Sequence, residues 1–171
     1  MSKKIVLIGP PGAGKTSIGK ALSKELGMQF IDSDAEIERN TQKKISEIFV
    51  DQGEPVFRKI EVETVTKILS EFEGVIALGG GAPINSAIQE ILTNAQYPVI
   101  FIDVSISQAA NRIGFNKDRP LLLINPRQQW LHLMSERRPI YERLATAIVS
   151  SDNHKPADVA KTITEKIASK I

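Results

Sequence analysis

The chain contains no cysteine, which excludes a disulfide framework and a thiolate metal site and fits a reducing compartment. Long apolar runs are missing as well. Between Met1-Ser2-Lys3-Lys4 and Gly9-Pro10-Pro11 there is only Ile5-Val6-Leu7-Ile8, too short for a signal-peptide core. No later run approaches the ~18 residues of a membrane span. The expectation is a cytoplasmic protein without membrane contact. Excess charge is scarce: the formal net charge is +2, too small by itself to suggest nucleic acid. Neither an internal repeat nor a low-complexity tract is present. What remains is 171 residues, 42% apolar and 25% charged, the size and composition of one globular domain spanning 1–171.

The charge is distributed unevenly. Arg112 to Arg143 holds seven basic residues and three acids. Alone, such a stretch reads as a solvated helix face. It gains weight beside an N-terminus that calls for a polyanionic ligand.

Short apolar runs alternate with longer helical patterns, which predicts a parallel α/β sheet. Strands are expected at Ile5–Gly9, Gln29–Asp32, Val75–Gly79, Val99–Val104 and Ala147–Ser150. Helices are expected at Lys15–Leu26, Pro55–Phe72, Ile84–Leu92, Pro126–Leu144 and near Ala157–Lys170. Asp34–Gly53 reads as two short helices, while Gly114–Asn125 has no periodicity. Both look like insertions at the rim of the sheet, where ligands of open α/β folds bind.

Gly9-Pro10-Pro11-Gly12-Ala13-Gly14-Lys15-Thr16-Ser17 matches the phosphate-binding pattern G-x₄-G-K-[ST], with a strand before it and a helix after it. The glycines let backbone N–H groups turn around phosphate oxygens. Lys15 is placed to reach the β- and γ-phosphates and the Thr16 hydroxyl to bind Mg²⁺. The helix starting at Lys15 adds its positive dipole end. A GTPase would carry N-K-x-D and D-x-x-G. Asn116-Lys117-Asp118 has the wrong spacing for the first, and the second is absent.

Phe30-Ile31-Asp32-Ser33-Asp34 places two carboxylates at i and i+2, which share one side if the strand continues. One can help to hold Mg²⁺, the other can take a proton from an attacking hydroxyl. The competing reading is a helix N-cap made by Ser33 or Asp34. Farther on, Glu61 stands three residues after Arg58. Either the two form a surface pair, or Glu61 fixes Arg58 as a bidentate clamp for a carboxylate. Val75–Leu78 ends in Gly79-Gly80-Gly81-Ala82, a bare backbone on which a flat ligand can lie. Asp103, after Val99–Ile102, has the apolar-strand-plus-acid pattern of a second nucleotide motif. Trp130 reads as core, and His132 and His154 are too isolated for a metal site.

Taken in order, the P-loop, Asp32-x-Asp34, Gly53-Glu54-x-x-Phe57-Arg58-x-x-Glu61, Gly79-Gly80-Gly81-Ala82, Arg119-Pro120-Leu121-Leu122 and Arg137-x-Pro139-x-Tyr141 resemble the shikimate kinase family over essentially the whole chain. The resemblance implies a three-layer P-loop kinase fold of the nucleoside-monophosphate-kinase type. It has a five-stranded parallel sheet, a substrate-binding segment near 34–61 and a lid near 114–125. It implies transfer of the ATP γ-phosphoryl to the 3-hydroxyl of shikimate, on the route to chorismate and the aromatic amino acids, with Mg²⁺; separately, a monomer is expected. It assigns Lys15, Asp34 and Arg119 to catalysis, and Thr16 and Asp32 to the metal. Gly12, Ala13, Gly14, Lys15, Thr16, Ser17, Arg112 and Arg119 go to ATP, Arg112 beside the adenine and Asp32 rather than Asp103 to the metal shell. Asp34, Arg58, Arg137, Gly79, Gly80, Gly81, Phe49, Phe57 and Glu61 go to shikimate. His154 and Pro156 fall in the adenine loop, where the family often has Arg or Gln in place of His154. Two rivals remain: a gluconate-type sugar kinase, which would not need the glycine run together with Arg58 and Arg137, and a regulatory P-loop protein without turnover.

Overall fold

The computed structural model describes residues 2–113 and 125–170. Its centre is a strand of uninterrupted apolar residues, β1 (Lys4–Ile8), whose Ile5, Val6, Leu7 and Ile8 are all buried. A strand buried on both faces reads as a continuous apolar run because helices cover each side. β1 pairs in parallel with β3 (Gly74–Ala77) on one side and β4 (Val99–Asp103) on the other. β2 (Phe30–Asp32) lies outside β3 and β5 (Ala147–Ser150) outside β4, giving the order β2-β3-β1-β4-β5. The chain therefore steps from β1 toward one edge and later returns to the other side. The switch lies at the carboxyl end of β1, where open α/β sheets bind ligands.

α1 (Lys15–Leu26) starts there and stops at Gly27, whose φ of 65° forms the left-handed cap. The predicted pair of short helices is α2 (Ser33–Thr41) and α3 (Ile45–Gln52), followed by α4 (Glu54–Glu71). Ile37, Ile48 and Phe57 from these three helices form a small cluster separate from the main core. α5 (Ser86–Thr93) follows a 3₁₀ turn at Ala82–Ile84. α6 (Ile106–Ile113), α7 (Pro126–Leu144) and α8 (Pro156–Ala168) complete the described elements.

Two expectations need correction. α6 was not anticipated, although Ile106, Ala109 and Ile113 recur at helical spacing. β2 ends at Asp32 as expected, so the condition for Asp32 and Asp34 to share one side of a strand is not met, and Ser33 opens α2. The cap of α2 is neither Ser33 nor Asp34. Asp32 makes it, its Oδ1 accepting from the backbone N–H of Asp34 at 2.9 Å and of Ala35 at 3.0 Å. Ending the strand there removes two donors' need for partners at the helix start. The predicted lid at 114–125, with Arg119, falls outside the described residues except for Asn125.

Candidate active site

The phosphate loop leaves β1 at Gly9, where a Cβ would stand 2.5 Å from the Ile102 carbonyl oxygen of β4. Only glycine allows strand and loop to lie this close. Gly14 caps α1 with φ 88°, a conformation that side chains disfavour. Ala13 is buried beneath the loop. The Lys15 ammonium donates to the Gly9 and Pro10 carbonyls at 2.7 and 3.0 Å, bringing its charge over the loop. Thr16 Oγ1 donates to Asp32 Oδ2 at 2.5 Å. Asp32 thus caps α2 with one oxygen and accepts from the P-loop hydroxyl with the other.

Two side chains brace the loop from outside. Arg112 Nη1 donates to the Gly12 and Ala13 carbonyls, both at 3.1 Å, and to Ser151 Oγ at 2.7 Å; its Nη2 donates to the Ser151 carbonyl at 2.7 Å. Trp130, buried as expected, donates its Nε1–H to the Pro11 carbonyl at 3.0 Å. Sequence reasoning missed this bond: the indole has one polar atom, and a buried one needs a partner.

A cavity of about 300 Å³ opens over this loop. Gly12, Gly14, Lys15, Thr16 and Ser17 line it, as do Asp32, Asp34, Gly79, Gly80 and Arg112. The phosphate loop and both predicted carboxylates therefore line one space. His154 and Pro156 do not line it: the His154 ring is exposed, its Nδ1 lying 2.5 Å from the Asp152 carbonyl, and Pro156 opens α8.

The Arg58–Glu61 pair lies beside the glycine run, where a Cβ on Gly81 would stand 2.8 Å from Arg58 Cζ. Arg58 Nη1 donates to Glu61 Oε1 at 2.8 Å, and its Nε lies 3.3 Å from Glu54 Oε1. Glu61 is 2% exposed, so the pair is no surface ornament. Burial pushes the Glu61 carboxyl above its ordinary range, and the Arg58 guanidinium opposes the shift. Phe49 and Phe57 pack with ring centroids 4.9 Å apart, and the Arg58 guanidinium lies 5.2 Å from the Phe57 ring centre.

α7 supplies the second arginine. Its buried stripe is Trp130, Met134, Arg137, Tyr141 and Leu144, one face at i, i+4, i+7, i+11 and i+14. A cation inside an apolar stripe is a functional signal, since an arginine is rarely buried unless paired. The Tyr141 hydroxyl donates to the Gly80 carbonyl at 2.6 Å. Burial pushes this phenol up to about 12, with neighbouring Arg137 pulling the other way, so it remains a neutral donor at physiological pH. Ser33 Oγ accepts from the Gly79 N–H at 2.9 Å, fully buried. Neither Tyr141 nor Ser33 was singled out for these roles from sequence. Asp103, set aside as a metal ligand, is gripped bidentately by Arg138 at 2.7 and 3.1 Å.

A phosphate loop at the switch point of a five-stranded parallel sheet, with Asp32, Asp34 and the glycine run lining the cavity over it, defines a P-loop kinase. The family model described as shikimate kinase matches residues 11–168. A shikimate kinase of Thermobifida fusca is 46% identical over 162 residues, covering 95% of this chain and 93% of that protein. One from Streptomyces coelicolor is 41% identical, covering 95% and 94%. The solved structure of the Acinetobacter baumannii shikimate kinase in complex with shikimate superposes with a TM-score of 0.95 at 34% identity, covering 99% of this chain and 95% of that one. The chain belongs to the shikimate kinase family, and its activity is ATP-dependent phosphoryl transfer to shikimate.

Proposed function

We propose that this one cavity carries out in-line transfer of the ATP γ-phosphoryl to the 3-hydroxyl of shikimate, with the following division of labour. The P-loop backbone and the N-terminus of α1 hold the phosphates, and Lys15 neutralises charge on the β- and γ-groups. Arg58 and Arg137 bind the acceptor carboxylate, Arg58 oriented by Glu61. Phe49 and Phe57 wall the ring. Asp34 faces the attacking hydroxyl and takes its proton as the bond to phosphorus forms. Transfer of this kind needs chiefly positioning and charge neutralisation, because its transition state is loose.

The paired oxygens of Thr16 and Asp32, 2.5 Å apart, fit Mg²⁺, which binds one or two protein oxygens with substrate phosphates and retains several waters. When bound there it supplies further charge neutralisation to the phosphates. Arg119 is assigned to the phosphates, and the segment 114–125 to closure, on the family's pattern alone. Arg112 reaches the nucleotide side from the edge of the phosphate loop, and the adenine is placed against Pro156 and His154.

The observation that carries the reading is the cavity shared by Lys15 and Thr16 with Asp34 and Gly80. We further place the protein in the cytoplasm and read it as a monomer. No described helix is long and apolar enough to cross a membrane. Among the described residues, the large apolar side chains more than a third exposed are Val50, Val56, Ile84, Leu131 and Ile148, one on each of five elements, rather than gathered on one.

The test is ADP release from Mg·ATP against a panel of acceptors. Shikimate is expected to give brisk turnover. Brisk turnover on gluconate or nucleoside monophosphates with none on shikimate would overturn the reading.

A further inference from the structure

Three glycines in succession ask for a reason, and backbone conformation does not provide it. The described glycines with positive φ are Gly9, Gly12, Gly14, Gly27, Gly53 and Gly74; Gly79, Gly80 and Gly81 are not among them, and Gly81 has φ −89°. An L-residue could adopt each of these backbones. What it lacks is room. A Cβ on Gly79 would stand 2.5 Å from Asp34 Oδ1 and 3.0 Å from its Cγ. On Gly81 it would overlap the Arg58 guanidinium, 2.8 Å from Cζ and 2.9 Å from Nη2. On Gly80 it would lie 3.2 Å from Pro11 Cδ and 3.4 Å from Arg137 Nη1. Three charged side chains arrive from three different helices, α2, α4 and α7, and those from α2 and α4 each meet their own glycine.

We infer that Gly79 and Gly81 are positioning residues: each absent Cβ seats one charged side chain of the acceptor site, Asp34 and Arg58 respectively, whereas a Cβ on Gly80 would press on Pro11 and only touch Arg137. This rests on the roles proposed above for Asp34 and Arg58. It goes beyond the expectation that the run offers bare backbone to a flat ligand, because the space the glycines leave is filled by protein.

The run cannot retreat to make room. Gly79 donates its N–H to buried Ser33 Oγ, its carbonyl accepts from Ala82 N–H at 3.1 Å, Gly80 is held by Tyr141, and the Gly81 carbonyl accepts from Ile84 N–H at 3.1 Å. An added methyl therefore moves the side chain instead. For Arg58 that displaces the end of a flexible chain, which leaves the fold intact but shifts the fork from its place beside Glu61. Binding and proton transfer demand placement within about 0.5 Å, so function suffers where stability does not.

The experiment is the set Gly79→Ala, Gly80→Ala and Gly81→Ala, with kcat and both KM values, thermal melts, and the double variants with Asp34→Ala and Arg58→Ala. Gly81→Ala is expected to raise the shikimate KM roughly ten- to hundredfold, the effect of losing hydrogen bonds to a charged group, with the ATP KM within about twofold. Gly79→Ala is expected to lower kcat by about 10²-fold, within the range of misplacing a general base. Gly80→Ala, whose contacts are looser, is expected to change shikimate KM less than about tenfold. Each effect is expected to vanish once its partner is removed: Gly81→Ala adds nothing to Arg58→Ala, and Gly79→Ala adds nothing to Asp34→Ala. Glycine effects that persist undiminished in those backgrounds, or near-wild-type kinetics for Gly79→Ala and Gly81→Ala, would overturn the inference while leaving the roles intact. Near-wild-type kinetics for Arg58→Ala and Asp34→Ala would overturn the roles, and this inference with them. Should Gly79→Ala fail to fold, adding Asp34→Ala, which removes the clash, is expected to restore the fold; continued misfolding overturns the inference.

Discussion

On the nucleotide side, the phosphate loop leaves the central strand, and its anchors are backbone carbonyls gripped by side chains: Gly9 and Pro10 by Lys15, Gly12 and Ala13 by Arg112, Pro11 by Trp130. Beneath it lies the main core, which β1, β3 and β4 fill with Ile, Val, Leu and Phe. On the acceptor side the materials are reversed. There charged side chains come together from α2, α4 and α7, and α2, α3 and the start of α4 pack on a small cluster of buried Ile37, Ile48 and Phe57 with half-buried Ile45, Phe49 and Ile60. The two charged residues among the described buried ones, Glu61 and Arg137, both belong there. A phosphate cradle made of N–H groups needs a rigid backbone. A site made of long side chains needs its helices held at the right distance, and a small cluster holds them with less free energy. The acceptor segment is thus the part of the molecule suited to open and close as a local unit.

The largest expected effect would break that comparison. Ile48 is 1% exposed, and Ile→Ala at a buried site costs about 2–5 kcal/mol. If the segment is a local unit, Ile48→Ala is expected to speed amide exchange in α2, α3 and the first turns of α4, while β1, β4 and the end of α4, whose Val65, Ile68 and Leu69 sit in the main core, keep their protection and the ATP KM is unchanged. Equal acceleration in β1 would show that the two regions share one cooperative core.

A smaller effect sharpens it. Arg58→Lys keeps the charge but loses the fork. Shikimate affinity is expected to fall by about 1.5–3 kcal/mol, with ATP affinity unchanged, in titrations of each substrate alone. Equal weakening of both would mean that the cationic field of the cleft, rather than the geometry of the clamp, holds the acceptor.

The same division governs what was legible in the amino-acid sequence. α1, α7 and β5 match their expected bounds to the residue. For α1 the P-loop marks the start and Gly27 the stop, and for α7 Pro126 occupies the first turn, where its missing N–H is harmless. Local chemistry sets such boundaries, so local reading finds them. α6 escaped because it is a short element of eight residues, although Ser105, whose Oγ accepts from the Gln108 N–H at 3.4 Å, offered a cap before Ile106. Asp32 and Asp34 were identified as a functional pair on a mistaken geometry: both enter the cavity, but across a strand-to-helix junction. The reason for Gly79 and Gly81 could not be read at all. It depends on Asp34 and Arg58 converging from separate helices, and no window of sequence contains that meeting.

The smallest expected effect concerns pH, and only the acceptor side supplies the group for it. Burial raises the Glu61 carboxyl from its ordinary 4.5, against the pull of Arg58. For an acid whose folded pKa is raised, the folded protein holds more protons than the unfolded chain in the window between the two values. Stability then falls as pH rises through that window. Ionising Glu61 therefore costs the fold stability, even though its carboxylate accepts from Arg58 Nη1 at 2.8 Å. Glu61→Gln keeps the shape and one acceptor oxygen while abolishing the titration. Against this variant, the wild type is expected to lose relative melting temperature as pH climbs from 4.5 through the raised value, and then to hold a constant difference. At neutral pH the variant is expected to match or exceed the wild type in stability, yet to bind shikimate more weakly, because a neutral amide holds the guanidinium less firmly than a carboxylate. A melting difference that stays flat from the start of this window would show that Glu61 titrates as it does in the unfolded chain. The ion pair would then outweigh burial, and the acceptor side would be as preformed as the phosphate loop.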